Sequence, residues 1–187
     1  MNRYSLPIAE GTIEALSELR AGIARVGVTG RANSGDLVFG CSIEATTGRV
    51  VHICADQQDL EYKFEVFPIC AKMLANFDGV QEIRELRLAE PVEVLLLETE
   101  DWLASDINCD GALGQGPIAQ CQGRPGEEPE SSVASCSYFG GIELRSANGE
   151  KLVIATLPFP YSIHISAIPC TGTFDQNAYV EVVASGA

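Results

Sequence analysis

The chain has 187 residues, 46% hydrophobic and 20% charged, proportions that argue against a wholly disordered protein and fit one globular domain. Twelve Lys and Arg residues stand against 26 Asp and Glu residues, which gives a net charge of −14. That charge argues against partners that are themselves anionic, namely nucleic acid and an anionic membrane surface.

The first third of the chain predicts one helix followed by strands. Apolar residues recur every three or four positions over 12–25, which is helical spacing. Strands are predicted over 37–44 and 49–55, joined as a hairpin by the turn at 46–48. A further strand is predicted over 62–67, where apolar and polar residues alternate.

The middle of the chain is less regular. A short helix is predicted over 69–77, and 80–88 has a spacing that fits either a helix or a strand. The apolar run 92–97 predicts a buried strand. Residues 104–135 are rich in Gly and Pro and predict a long loop.

The last third of the chain predicts strands joined by short turns. Asn148 and Gly149 mark a hairpin turn. The predicted strands are 136–144, 151–157, 161–168 and 179–183. The sequence therefore predicts an α+β fold in a single domain over 1–187, with a mainly antiparallel β-sheet and one or two packed helices.

The number and spacing of the cysteines predict a cellular compartment. There are seven, an odd number, and no CxxC pair, a pattern typical of reduced thiols in a cytosol. The N-terminal residues lack the apolar core of a secretory signal, and no apolar run is long enough to span a bilayer. These features predict a cytoplasmic protein.

One segment resembles a calcium loop. The segment 106–113 (DINCDGAL) resembles the first half of EF-hand and dockerin-type loops, with oxygen-bearing side chains at its first, third and fifth positions and glycine at its sixth. The resemblance ends at Gly114 and Pro117, because the twelfth position requires a bidentate acid. A polar turn is therefore the favoured interpretation, and no metal or other cofactor is predicted.

Catalytic motifs are not apparent. The string 30–35 has the glycine spacing of a phosphate-binding loop, but Asp36 stands where that loop requires Lys. The chain has no GxSxG, HExxH or CxxC motif. No catalytic residue is predicted, and a non-enzymatic protein is favoured.

The alternative to a non-enzymatic protein rests on His52 and Cys54. These residues lie two apart on a predicted strand, so their side chains share a face. With the Asp106–Asp110 loop they would make a metal-binding protein or a hydrolase-type enzyme. An ordinary strand with one polar and one small core residue explains the same pattern.

Acidic residues concentrate between positions 78 and 110, where ten acids stand against two arginines. The only tryptophan, Trp102, lies within this stretch, and an aromatic residue inside a charged rim is a common binding anchor. The competing interpretation is that Trp102 covers the core. The predicted partner-binding residues are Glu98, Glu100, Asp101, Trp102, Asp106, Asp110, Glu127, Glu128 and Glu130.

Together these features favour a binding or inhibitory protein. A surface bearing these acids would attract a basic partner, as an immunity-type protein attracts a toxin or nuclease. A third hypothesis is a homo-oligomer that pairs through an exposed strand edge at 161–168.

Overall fold

A computed structural model describes residues 1–31, 37–60, 64–77, 79–105, 118–157, 162–168 and 174–183. The described chain is mostly antiparallel β-sheet in three sheets, one of them curled into a half-barrel. The antiparallel sheet was expected, but the α+β class is wrong, because the described residues contain a single short α-helix.

The helical segments are few. The α-helix α1 spans Thr12–Ser17, and 3₁₀ turns span Glu18–Ala21 and Gln176–Ala178. The strands of the described chain, in order, are β1 (Asn2–Ser5), β2 (Ile23–Arg31), β3 (Val38–Ala45), β4 (Val50–Ala55), β5 (Gln58–Leu60), β6 (Phe64–Val66), β7 (Ile69–Leu74), β8 (Gln81–Leu88), β9 (Val92–Ser105), β10 (Ile118–Gly123), β11 (Ser132–Ser146), β12 (Lys151–Thr156), β13 (Ile163–Ile165) and β14 (Val180–Val183).

The helix predicted over 12–25 is shorter than expected. Gly22 follows the 3₁₀ turn with φ of 103°, a conformation that ends the helix and that side chains rarely adopt. A Cβ at this position would also lie 3.0 Å from the carbonyl oxygen of Leu88. Residues from Ile23 onward join β2, where they pair with β3 and β8.

The short helix predicted over 69–77 is wrong, and most of this range is the strand β7. Ile69 and Ala71 are buried, whereas Cys70 and Lys72 lie on the opposite, more exposed face of β7. That alternation has the period of a strand, and pairing with β4 supplies the backbone hydrogen bonds. The ambiguous segment 80–88 is also a strand, β8, paired with β2.

The two predicted hairpins are present. β3 and β4 pair across the turn that contains Gly48, and β11 and β12 pair across the turn that contains Gly149. Both glycines have positive φ, 82° and 86°, which explains why glycine serves these turns.

The predicted loop over 104–135 is largely sheet where the structure describes it. β9 continues to Ser105, β10 lies within the range, and β11 begins at Ser132. The range 106–117 lies outside the described residues. β10 pairs antiparallel with β9 over six positions, so tertiary pairing stabilises a segment whose Gly and Pro content indicated a loop.

The two large sheets share one apolar core. The first has the order β10-β9-β11-β12-β13, with β1 parallel to β11 and β14 on β9. The second has the order β7-β4-β3-β2-β8, and β5 pairs with β6 as a separate hairpin. Buried side chains of both large sheets, such as Ile43 and Ile154, belong to the same cluster. In the part of the chain described, no helix has the length and apolar character needed to cross a membrane.

A register shift in β11 creates two different faces. Pairing between β9 and β11 slips between Phe139 and Gly141. Beyond the shift, Ile142 and Leu144 enter the apolar core. Before it, the start of β11 lies between β1 and the end of β9, and residues such as Cys136 belong there to a second, smaller apolar cluster. This half of the sheet carries the predicted binding residues of β9.

Candidate functional site

The acidic residues at the end of β9 lie on opposite faces of the sheet. Glu98 is partly exposed, but Glu100, Asp101 and Trp102 are only 7%, 5% and 4% exposed. Successive side chains of a strand point to opposite faces, so Glu100 and Asp101 face different surroundings. The predicted acidic surface is therefore divided: two of its carboxylates and its aromatic residue lie inside the protein.

Asp101 is held in a network of buried and half-buried side chains. The Tyr138 hydroxyl donates to Asp101 Oδ1 over 3.0 Å, and Gln120 Nε2 donates to Asp101 Oδ2 over 2.9 Å. Gln122 Nε2 in turn donates to the Tyr138 hydroxyl, and Tyr179 donates to Gln122 Oε1. Burial raises the pKa of Asp101 to about 7 against the opposing effect of its two hydrogen bonds. Asp101 is therefore buried inside the fold and is not part of a charged surface.

The Trp102 ring packs on one face of the sheet. Its ring lies against Gly123 of β10, where any Cβ would collide with it. Among the described residues its indole nitrogen has no hydrogen-bond partner. The ring is therefore buried against β10, as the core interpretation of Trp102 expects, and it presents little surface to another molecule.

Glu100 lines a cleft on the face of the sheet opposite to Asp101. The cleft has a volume of about 290 Å³, and it is bounded by β1, β9, β11 and the turn before β11. Its lining includes two acids, one base, two hydroxyl-bearing serines and an aromatic ring: Glu100, Glu128, Arg3, Ser135, Ser137 and Tyr4. The volume is close to the lower limit of about 300 Å³ for ligand pockets, so the cleft suits one side chain or one small molecule.

The floor of the cleft is polar and incompletely paired. Glu100 Oε2 accepts a hydrogen bond of 2.9 Å from the backbone N–H of Gly126. Ser135 is 1% exposed, and its hydroxyl has no hydrogen-bond partner among the described residues. A buried hydroxyl without a partner is uncommon.

An ion pair lies at the edge of the cleft. Arg3 Nη2 is 2.9 Å from Glu128 Oε1, and the Arg3 side chain is 70% exposed. Exposed ion pairs contribute about 0–1 kcal/mol, so this pair can exchange partners at little cost. The carboxylates of Glu100 and Glu128 outnumber the single guanidinium, which favours a cationic ligand over an anionic one.

The remaining predicted binding residues lie in a turn or outside the described residues. Glu127 and Glu130 are exposed in the turn before β11, next to Glu128. Asp106 and Asp110 lie outside the described residues, as does the partial calcium loop. Of the nine predicted residues, the structure therefore brings Glu100 and Glu128 together in the cleft, with Glu127 and Glu130 nearby in the chain.

His52 and Cys54 share a face of β4, as the sequence indicated. The Cys54 sulfur lies 3.3 Å from the sulfur of Cys70, directly opposite on β7. His52 Nδ1 lies 3.5 Å from the hydroxyls of both Thr29 and Ser42. The part of the chain that the structure describes contains no group of three or more His, Cys, Asp or Glu side chains able to hold a metal. The Asp106–Asp110 loop, the other part of this alternative, lies outside the described residues.

The cysteines differ from the expectation of seven reduced thiols. Cys121 is disulfide-bonded, whereas Cys41, Cys54, Cys70 and Cys136 are free. Spacing alone could not distinguish these cases, because a disulfide depends on the distance between two cysteines in the fold.

Sequence reasoning did not find Arg3, Ser135 or Cys70. Arg3 and Ser135 are paired directly across β1 and β11, 132 positions apart in the chain, and no local motif connects them. Comparison with protein-family models, with curated proteins and with solved structures gave no match.

Proposed function

We propose that this protein is a binding protein that takes up a cationic side chain of a basic protein partner in the cleft at Glu100 and Glu128. The observation that carries the proposal is the carboxylate of Glu100 in a cleft that it shares with Glu128 and one base, Arg3. An arginine or lysine side chain supplies a positive charge and several N–H donors, which match these carboxylates.

The surroundings of the cleft support a basic partner. Glu127 and Glu130 are exposed and lie one and two positions from Glu128 in the chain. The whole chain has a net charge of −14. Such a field accelerates association with a positively charged protein and makes the affinity fall with added salt. The most specific form of the proposal is an immunity-type inhibitor of a basic toxin or nuclease.

We also propose that the protein is cytoplasmic. The free thiols of Cys41, Cys54, Cys70 and Cys136 favour the cytoplasm, where glutathione keeps thiols reduced. The disulfide at Cys121 weighs in the opposite direction, since disulfides are rare there.

Binding of an arginine-rich peptide tests the cleft directly. We expect Glu100→Gln to weaken the peptide's affinity by at least about tenfold, because truncating a buried charge pair costs roughly 2 kcal/mol or more. The amide keeps an acceptor for the Gly126 N–H, so the fold is preserved. Fluorescence anisotropy at low and moderate salt measures the affinity.

Two matched variants distinguish binding in the cleft from a general effect of net charge on the affinity. Glu10→Gln removes the same charge at an exposed position outside the cleft and should change the affinity little. Arg3→Ala frees Glu128 from its ion pair and should strengthen binding. Equal weakening by Glu10→Gln and Glu100→Gln would show that the peptide responds only to overall charge, and the cleft proposal would then be wrong.

The natural partner can be found with the same variants. Wild-type protein and Glu100→Gln, each tagged, are incubated with native cell extract at low and high salt, and retained proteins are identified by mass spectrometry. A basic protein retained by the wild type at low salt, and lost with Glu100→Gln, is the expected partner.

A further inference from the structure

A second cluster of reactive side chains lies on the other large sheet, away from the cleft. Cys54 and Cys70 are directly opposed on the antiparallel strands β4 and β7, and their sulfur atoms are 3.3 Å apart. Both side chains are half-buried, so a small solute can reach them. His52 and Lys72 form the neighbouring cross-strand pair on the same face.

The strand geometry suits a disulfide. Directly opposed residues of antiparallel strands have Cα atoms about 4.5–5.5 Å apart, within the range of about 4.4–6.8 Å that disulfides require. The sulfur atoms must approach from 3.3 Å to about 2.05 Å, a movement that side-chain rotation can supply. Oxidation therefore requires no rearrangement of the sheet.

The two thiols are chemically different. Hydrogen bonds from Cys70 and His52 lower the pKa of Cys54 to about 5, with smaller help from the charges of His52 and Lys72. The pKa of Cys70 is raised, mainly by its hydrogen bond to Cys54 and by burial. Cys54 is thus the thiolate of the pair at neutral pH, and Cys70 retains its proton.

We propose that Cys54 and Cys70 are a peroxide-reactive dithiol, in which Cys54 is oxidised first and Cys70 closes a cross-strand disulfide. The proposal is independent of the cation-binding function, because it uses other residues on another sheet. It rests on the opposed placement of the two sulfurs beside His52 and Lys72.

The chemistry balances with a hydroperoxide as the oxidant. The Cys54 thiolate attacks the terminal peroxide oxygen, the O–O bond breaks, and the departing alkoxide or hydroxide takes a proton from solvent. The product at Cys54 is a sulfenic acid. The Cys70 sulfur then attacks the Cys54 sulfur, hydroxide leaves and takes the Cys70 proton as water, and the S–S bond forms. The peroxide gains two electrons, and the dithiol loses two.

The remaining free thiols differ from this pair. Cys41 pairs with Ile53 on the opposite face and is fully buried, and burial raises its pKa above that of a free thiol. Cys136 is likewise buried, with a pKa raised to about 12. Peroxide should therefore select Cys54 among the described free cysteines.

Peptide mapping after peroxide treatment tests the proposal. The full chain is first treated with a reductant, which is removed before a limited amount of hydrogen peroxide is added, and non-reduced peptides are identified by mass spectrometry. We expect a 54–70 disulfide in the wild type and in the matched control Cys41→Ala. Mapping distinguishes this bond from the disulfide of Cys121.

Variants assign the roles of the two sulfurs. With Cys70→Ser, we expect the sulfenic acid to persist at Cys54 and to be trapped there by dimedone. With Cys54→Ser, Cys70 should remain unlabelled, and thiol loss should be at least about tenfold slower. Dimedone labelling on Cys70, or peroxide-treated wild type without the 54–70 disulfide, would overturn the proposal. The wild-type mapping decides the question even if a variant fails to fold.

Discussion

Raising the pH from about 4 to about 7 should cost the wild-type protein up to about 4 kcal/mol of unfolding free energy through Asp101 alone. Burial raises the pKa of Asp101 from 3.8 to about 7. Between these values the native state binds the proton and the unfolded state does not. The contribution of Asp101 is therefore fully present below pH of about 4 and is lost as the pH rises to about 7.

The difference between variants isolates this effect from other titrations. Asp101→Asn cannot ionise, so its unfolding free energy should decline less over this pH range than that of the wild type. Urea denaturation at several pH values measures both curves. Glu127→Gln, at an exposed position, is the control and should follow the wild type. Parallel curves for Asp101→Asn and the wild type would contradict the burial of the ionisable carboxyl.

Replacing Trp102 should have an effect of similar size. We expect Trp102→Ala to lose about 3–5 kcal/mol of unfolding free energy, because the buried ring leaves a cavity beside Gly123. Trp102→Phe should lose less than half as much. It keeps most of the packing and removes an indole N–H that lacks a partner among the described residues.

These two variants also decide what Trp102 does. Circular dichroism must follow the unfolding, since Trp102 is the only tryptophan and its fluorescence is lost. If Trp102→Ala were as stable as the wild type but bound the partner poorly, Trp102 would be an interface anchor. The core position instead predicts that Trp102→Phe, once folded, binds the arginine-rich peptide as the wild type does.

Predictions from local patterns succeeded where one short segment contains the whole signal. The turns at Gly48 and Gly149 follow from residues that accept positive φ, and the strands beside them follow from alternation. Predictions failed where a helical spacing recurred over only a few residues. In β2 and β7 the edges of neighbouring strands satisfied the backbone and overrode the local spacing.

The candidate site was predicted in part. The sequence identified Glu100 and Glu128 as acids in a charged region, and it identified His52 and Cys54 as neighbours on one face. It left open whether Trp102 covers the core, and it did not predict the burial of Asp101, because the partners that bury them come from β10 and β11.

The sequence by itself determined the acidity of this protein, its antiparallel hairpins and the turns that close them, since each depends on composition or on a few adjacent residues. The tertiary structure alone decided which acids line a cleft and which thiols meet. Arg3 faces Ser135, and Cys54 faces Cys70, because strand pairing joins residues that are distant in the chain. Burial then raises the pKa of Asp101, and hydrogen bonds from Cys70 and His52 lower the pKa of Cys54, so the surroundings in the fold set the charge state of both groups.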